Sequence, residues 1–359
     1  MKIAIIAPVI RKISNNNYYG GIERIIASLA IGIAESNIQV VLYAPYGTDI
    51  KHKNIEIRIT TDKDISKNPK SIKKTETDLF NKIIFDQLEF DIIHSHIEPI
   101  VAKNRNDNYY SKILKPIVIT MHNQTYIDKN IDYYKTHPNI HNINYVFISN
   151  NQSKPLSFLP NKTVIYNGID IDKFTFNSVP NLNQLAFLGR ITPEKGISQA
   201  IKIAKLSGKK LLIGAAIDHT QQNFYEQEIK SQIDGENIIY LGEVSNKNKN
   251  ILLRTSEALI SPIQWNEPFG LVVVESLATG TPVIASNMGS MSEIIENNKT
   301  GFIINQTDNI STYVNAINKI DKLDRQYCRK SVKKRFSSKI MVNNYLKLYS
   351  SILIDNKTT

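Results

Sequence analysis

The chain has 359 residues, 42% of them apolar and 21% charged, and a formal net charge of +11. That length accommodates two domains with sizeable cores, and the composition is that of an ordinary soluble globular protein. A single cysteine, Cys328, excludes an internal disulfide and a cysteine-based zinc site.

Apart from Lys2 the first ten residues are apolar, yet Lys12 follows closely and no small-residue cleavage site appears. Residues 2–7 are therefore read as a buried first strand and not as a signal peptide. No apolar run approaches the ~20 residues of a membrane span, and a cytoplasmic location is expected. Tyr18-Tyr19-Gly20-Gly21 follows that strand and opens a helix in which Ile22, Ile25, Ile26, Leu29 and Ile33 recur at helical spacing. Paired glycines let a backbone approach a ligand closely, and a helix start favours phosphate; a plain turn is the alternative. The loop is too long for the dinucleotide fingerprint of three spaced glycines.

Short apolar runs at 39–43, 91–94, 117–120 and 145–148 read as further strands of the first half. Those at 186–189, 211–214, 238–241, 258–261 and 283–285 do so in the second. Helical patterns separate them, as with Ile197, Ala200, Ile201 and Ala204. Strands apolar on both faces and alternating with helices indicate parallel, doubly wound sheets of the α/β class. Ligands of such sheets sit beyond the carboxyl ends of the strands. Residues 62–77, rich in polar groups, read as an exposed connection. Residues 153–183, with Pro155, Pro160 and Pro180, read as a hinge region.

His94-Ser95-His96 ends one predicted strand and Thr120-Met121-His122-Asn123 another. Three histidines raise the question of a metal, but no carboxylate accompanies them at a recognisable spacing, and none is expected. His122 is read as a neutral hydrogen-bonding group, His94 and His96 as structural. Asp62-Lys63-Asp64 and Asp170-Ile171-Asp172 have a short metal-site form common by chance, and both are discounted.

Two stretches of the second half carry more chemistry. In Phe187-Leu188-Gly189-Arg190-Ile191-Thr192-Pro193-Glu194-Lys195-Gly196 a strand is expected to end at Gly189. Arg190 and Lys195 then lie on the loop before a helix with Pro193 near its start. Two cations beside a helix N-terminus form a diphosphate clamp, the Arg fork matching phosphate oxygens; a surface pair of Arg190 with Glu194 is the alternative. Trp265-Asn266-Glu267-Pro268-Phe269-Gly270 leads through three valines to Glu275, with seven residues between the carboxylates. Pro268 to Gly270 reads as a helix entry with free N–H groups, and carboxylates accept hydrogen bonds from sugar hydroxyls. Eight helical steps cover about 12 Å, too far for two carboxylates acting on one glycosidic bond. They are read as two anchors on one long ligand, against the alternative of one capping and one solvated Glu.

Near the end, Arg325, Arg329, Lys330, Lys333, Lys334, Arg335, Lys339 and Lys347 occur with no acid before Asp355. This is read as the solvated face of two terminal helices, with attraction to an anionic membrane surface or polyanionic acceptor as the sharper reading.

In combination, Gly20-Gly21, Tyr166-Asn167-Gly168-Ile169-Asp170, Gly189-Arg190 with Lys195-Gly196, and Glu267 with Glu275 resemble the retaining glycosyltransferases of family four. The resemblance implies the GT-B fold: two doubly wound Rossmann-like domains facing a deep interdomain cleft. Residues 1–165 would form the acceptor-side domain and 166–337 the nucleotide-sugar-binding domain, with a helix at about 338–354 packing back on the first. It implies that Glu267 binds donor-sugar hydroxyls with N–H groups of Phe269, Gly270 and Leu271, and that Glu275 holds the ribose. Arg190 and Lys195 would neutralise the leaving diphosphate, backed by Gly21 with Gly20, and His122 would contact the donor sugar. It further implies no metal and no cofactor, and a donor such as UDP-glucose. The acceptor would be a saccharide, lipid or small molecule, and peripheral contact with the inner face of a membrane is compatible. Asn123 departs from the small residues frequent there in that family. A sugar-nucleotide epimerase of the same fold and a non-catalytic basic binding protein are the rival readings; no nucleic-acid motif is present.

Overall fold

The computed structural model describes residues 1–14, 20–65, 68–104, 107–137 and 143–358. Tyr18 and Tyr19 of the first glycine motif lie outside the described residues. The chain forms two compact units, one of residues 1–168 with 338–359 and one of 169–337.

The first unit runs β1 (Lys2–Ile6), α1 (Gly21–Glu35), β2 (Gln39–Ala44), β3 (Ile55–Ile59), α2 (Pro69–Asp86) and β4 (Ile92–Ser95). It continues with two-residue strands β5 (Lys103–Asn104) and β6 (Asp107–Asn108), then β7 (Ile117–Met121), α3 (Gln124–Lys129) and α4 (Ile131–Thr136). β8 (Ile143–Phe147), α5 (Asn150–Ser153) and β9 (Lys162–Val164) follow. Seven strands form one parallel sheet in the order β3-β2-β1-β4-β7-β8-β9. The core of apolar side chains covers this sheet, from Ala4 and Ile6 through Ile93, Ile119 and Phe147.

The second unit runs β10 (Asn181–Ile191), α6 (Ile197–Ser207), β11 (Lys210–Ile217), the single turn α7 (Gln222–Phe224), β12 (Ile238–Gly242) and α8 (Asn246–Thr255). β13 (Ser256–Ser261), α9 (Leu271–Ala278), β14 (Val283–Ser286), α10 (Met291–Ile294), β15 (Gly301–Ile304), α11 (Ile310–Ile317) and α12 (Arg325–Arg335) complete it. Its six parallel strands lie in the order β12-β11-β10-β13-β14-β15. Finally α13 (Ser338–Thr358) packs in the first unit, where the Val342 methyls fill the space beside Gly32 of α1.

Strand order reverses between β1 and β4 in one sheet and between β10 and β13 in the other. Open parallel sheets bind ligands beyond the carboxyl ends of their strands at such switch points. His96 follows β4, Arg190 lies at the end of β10, and the Glu267 segment follows β13.

Four expectations need correction. The 62–77 connection contains a helix start: Asn68 caps Ser71 N–H at 3.1 Å and Pro69 opens α2, whose buried Leu79, Phe80 and Ile83 come only later. β10 extends past Gly189 to Ile191, so Arg190 is a strand residue. Pro193 opens a 3-10 turn, Pro193–Lys195, and α6 begins only after left-handed Gly196. The C-terminal basic run is not simply a solvated face. Arg325 is buried and donates to the carbonyls of Asn177, Arg254 and Ser256 and to the Thr281 hydroxyl. Arg329 donates to Ala278 and Phe174 carbonyls, and Arg335 to those of Glu293 and Ile294. Several of these carbonyls end α8, α9 and α10, where a helix leaves acceptors unpaired and favours cations.

Candidate functional site

In the second unit the β10 and β13 exits are locked to each other. Gln264 N–H donates to the Glu194 carbonyl at 2.8 Å. Gly196 passes so close to the Pro262 carbonyl that a Cβ would collide with it. This brings Lys195 to Glu267: Lys195 Nζ donates to Glu267 Oε2 at 2.5 Å and sits 4.6 Å above the Trp265 ring. Both partners are largely shielded, so the pair is held in one geometry. Glu267 is fixed from behind as well. Its carbonyl accepts from Ser290 N–H at 2.9 Å, and its backbone passes directly against Gly289.

Glu267 is followed by Pro268, Phe269 and Gly270, the last with φ of 78°, a conformation glycine adopts without strain. Gly270 caps α9, as the sequence predicts, despite Val272-Val273-Val274. Val273 and Val274 are buried, and that burial outweighs the small helix penalty of branched side chains. The N–H groups of Leu271 and Val272 open the helix and fall outside its hydrogen-bond ladder. Ser290 Oγ donates to the Phe269 carbonyl at 2.9 Å and fixes the entry.

Arg190 points to Asp218, with Nη1 to Oδ2 at 2.9 Å, and lies 3.9 Å from Glu194. Asp218 sits below the ordinary carboxylate range, held first by Thr220 and then by Arg190. Arg190 and Lys195 thus have different acidic partners, Asp218 and Glu267. Glu275 is fully buried on α9 and paired with Lys249 of α8 at 2.8–2.9 Å. Lys249 was not singled out in the sequence, where it sits among the run of Asn and Lys at 246–250.

In the first unit Gly20, with φ of 113°, caps α1. Any Cβ there would strike the Glu23 carboxylate, so this helix start already holds an acid. Burial raises the Glu23 pKa. Gly21 is the first residue of α1. His122, just beyond β7, is buried beside His96, with His96 Nδ1 and His122 Nε2 at 2.9 Å. The N–H groups of His122 and Asn123 both donate to Glu98 Oε1, at 3.0 and 2.9 Å. Burial lowers the His122 pKa to about 4 and raises that of Glu98. Sequence reasoning missed Glu98, although His94-x-His96-x-Glu98 alternates polar groups just where the strand ends. Among the described residues no group of three or more His, Cys, Asp or Glu converges as a metal site. No helix among them is long and apolar enough to cross a membrane.

Residues 169–335 match the family described as Glycosyl transferases group 1. Phosphatidyl-myo-inositol mannosyltransferase of Mycobacterium leprae is 26% identical over 209 residues, 52% of this chain and 53% of that protein. The chain spans about half the length of the first curated relatives it matches. Among solved structures, sucrose-phosphate synthase from Thermosynechococcus elongatus superposes with a TM-score of 0.77 at 17% identity, covering 99% of both chains. Anabaena HepE in complex with UDP-glucose superposes with a TM-score of 0.71 at 18% identity, covering 98% of this chain and 100% of that one. These likenesses show the fold, which is GT-B with two Rossmann-like units.

Proposed function

We propose that this chain is a retaining glycosyltransferase moving a sugar from a nucleoside-diphosphate sugar, UDP-glucose for preference, to a hydroxyl of a saccharide, lipid-linked or small-molecule acceptor. The observation that carries the reading is the Lys195–Glu267 pair held beside the start of α9, inside the segment that matches the transferase family.

The chemistry follows from the groups. Breaking the anomeric bond develops negative charge on the diphosphate. Preorganised cations and helix-start N–H groups placed where that charge grows are commonly the largest catalytic term. Lys195 has three N–H donors; one serves Glu267, and others remain for a phosphate oxygen. Arg190, braced by Asp218, supplies a second cation. Glu267 accepts from sugar hydroxyls, and the N–H groups of Phe269, Gly270 and Leu271 face the same ligand. Glu275 takes the ribose role if a ribose hydroxyl joins the Lys249–Glu275 pair. His122, neutral and hydrogen-bonding, contributes to sugar recognition, and the Gly20-Gly21 turn takes the diphosphate once the Glu23 carboxylate lying against Gly20 turns aside. No metal or cofactor is required by these steps.

The test is transfer from a panel of nucleotide sugars to simple glycoside acceptors, with the anomeric configuration of the product read by NMR. Retained configuration is expected. Inverted product refutes the retaining assignment, and conversion of the donor to its epimer without any acceptor refutes transfer.

A further inference from the structure

The histidines of the first unit use their nitrogens unequally. Both ring nitrogens of His94 are engaged, Nδ1 2.7 Å from the Tyr349 hydroxyl and Nε2 2.8 Å from Thr120 Oγ1. His96 is equally buried but engages only Nδ1, toward His122; its Nε2 has no partner among the described residues. The His96 and His122 rings lie within 22° of parallel with centroids 5.2 Å apart, which suits a hydrogen bond in the ring planes.

Two neutral imidazoles joined by one hydrogen bond place their protons in one of two ways. If His122 Nε2–H donates, His96 carries its proton on Nε2, and that N–H is buried with nothing to accept it. If His96 Nδ1–H donates, its Nε2 is a bare acceptor, and the His122 proton moves to Nδ1. A buried N–H without an acceptor is the rarer orphan, and leaving it unpaired costs a desolvation penalty of about 1–3 kcal/mol.

We infer that His96 is a positioning residue that fixes His122 as the Nδ1–H tautomer, so that His122 meets its ligand as a hydrogen-bond donor. Burial holds both rings well below their ordinary pKa, which keeps them neutral near pH 7. Glu98 completes the arrangement by holding the backbone of His122 and Asn123 in place. His122 therefore recognises an oxygen lone pair and does not serve as a general base. That the oxygen belongs to a sugar rests on the glycosyltransferase reading.

The test uses the full chain with 15N-labelled histidine and long-range proton–nitrogen correlation spectra, which distinguish the tautomers. His96→Asn keeps an N–H near the Nδ1 position and His96→Leu removes it; circular dichroism checks folding. The expected result is His122 protonated on Nδ1 in the parent and in His96→Asn, and on Nε2 in His96→Leu. His122 protonated on Nε2 in the parent, or on Nδ1 in all three, overturns the inference. Calorimetry with UDP-glucose and UDP then separates the two claims. His96→Leu should lose roughly tenfold in affinity for the sugar nucleotide but not for UDP, with His96→Asn restoring it. Unchanged UDP-glucose affinity in His96→Leu overturns the sugar assignment. If the parent chain binds neither ligand, the functional reading fails while the spectra still decide the tautomer.

Discussion

Gly289→Ala is the sharpest perturbation of the Lys195–Glu267 arrangement, because it touches neither residue's side chain. Gly289 has φ of 57°, and an added Cβ would overlap the amide nitrogen and carbonyl oxygen of Glu267 and stand 2.8 Å from the Asn266 carbonyl carbon. Optimal separations are about 3.5–4.0 Å, so the Glu267 loop must retreat by on the order of 1 Å. Left-handed backbone adds about 1 kcal/mol of strain for an alanine. Gly235→Ala supplies the control: its φ is 79°, yet a Cβ there meets nothing within 4 Å, so it carries the backbone strain alone. A 1 Å displacement of a positioning group can cost on the order of a hundredfold in rate. The two variants should therefore show a similar backbone cost in calorimetric stability, with an added steric loss for Gly289→Ala. Only Gly289→Ala should lose about a hundredfold in sugar transfer or donor hydrolysis. Equal turnover in the two variants would refute the claim that Glu267 is held in a working position by Gly289.

Arg190→Ala should lower turnover by tenfold or more with little change in fold, since its ion pair with Asp218 is partly exposed and such pairs contribute about 1 kcal/mol or less to stability; kinetics beside circular dichroism checks both halves. Arg325→Ala should destabilise the chain by at least about 3 kcal/mol in urea, because it strands three carbonyls and the Thr281 hydroxyl. Lys333→Gln, on the exposed face of the same helix, should be nearly neutral in that assay. His122 titrates near 6.5 unfolded but about 4 folded, so between those values the unfolded chain binds more protons. Stability should accordingly fall as pH drops from 6.5 toward 4, by up to about 1.4 kcal/mol per pH unit from this ring. Buried Glu98, with its raised pKa, works in the opposite direction. Urea unfolding of the parent and His122→Asn at several pH values isolates the His122 share; identical pH slopes would count against it.

The central strands were legible because buried parallel strands read as continuous apolar runs, as in Ile3 to Ile6 and Val283 to Ala285. β3 was not, because edge strand Ile55-Glu56-Ile57-Arg58-Ile59 leaves most of its side chains partly solvated. α2 hid behind two polar turns before its apolar residues begin. Around the candidate site, the sequence exposed residue types but not their partners. Nothing in the spacing of Arg190 and Lys195 shows that Asp218 and Glu267 are their acidic partners. Nothing near Glu275 in sequence shows that Lys249 is its ion-pair partner. The charges of Arg325, Arg329 and Arg335 suggested a surface, although they pair with helix-end carbonyls that leave no trace in composition. Such pairings span up to 71 positions, beyond the reach of local spacing.

The most direct test of the donor assignment is the melting temperature of the chain in the presence of a panel of nucleotide sugars. A ligand at a hundred times its dissociation constant adds about 2.7 kcal/mol to stability. At least one nucleoside-diphosphate sugar should raise the melting temperature by more than its free nucleotide does, and Lys195→Ala should erase most of that difference. A panel in which no sugar nucleotide shifts the transition would contradict the account.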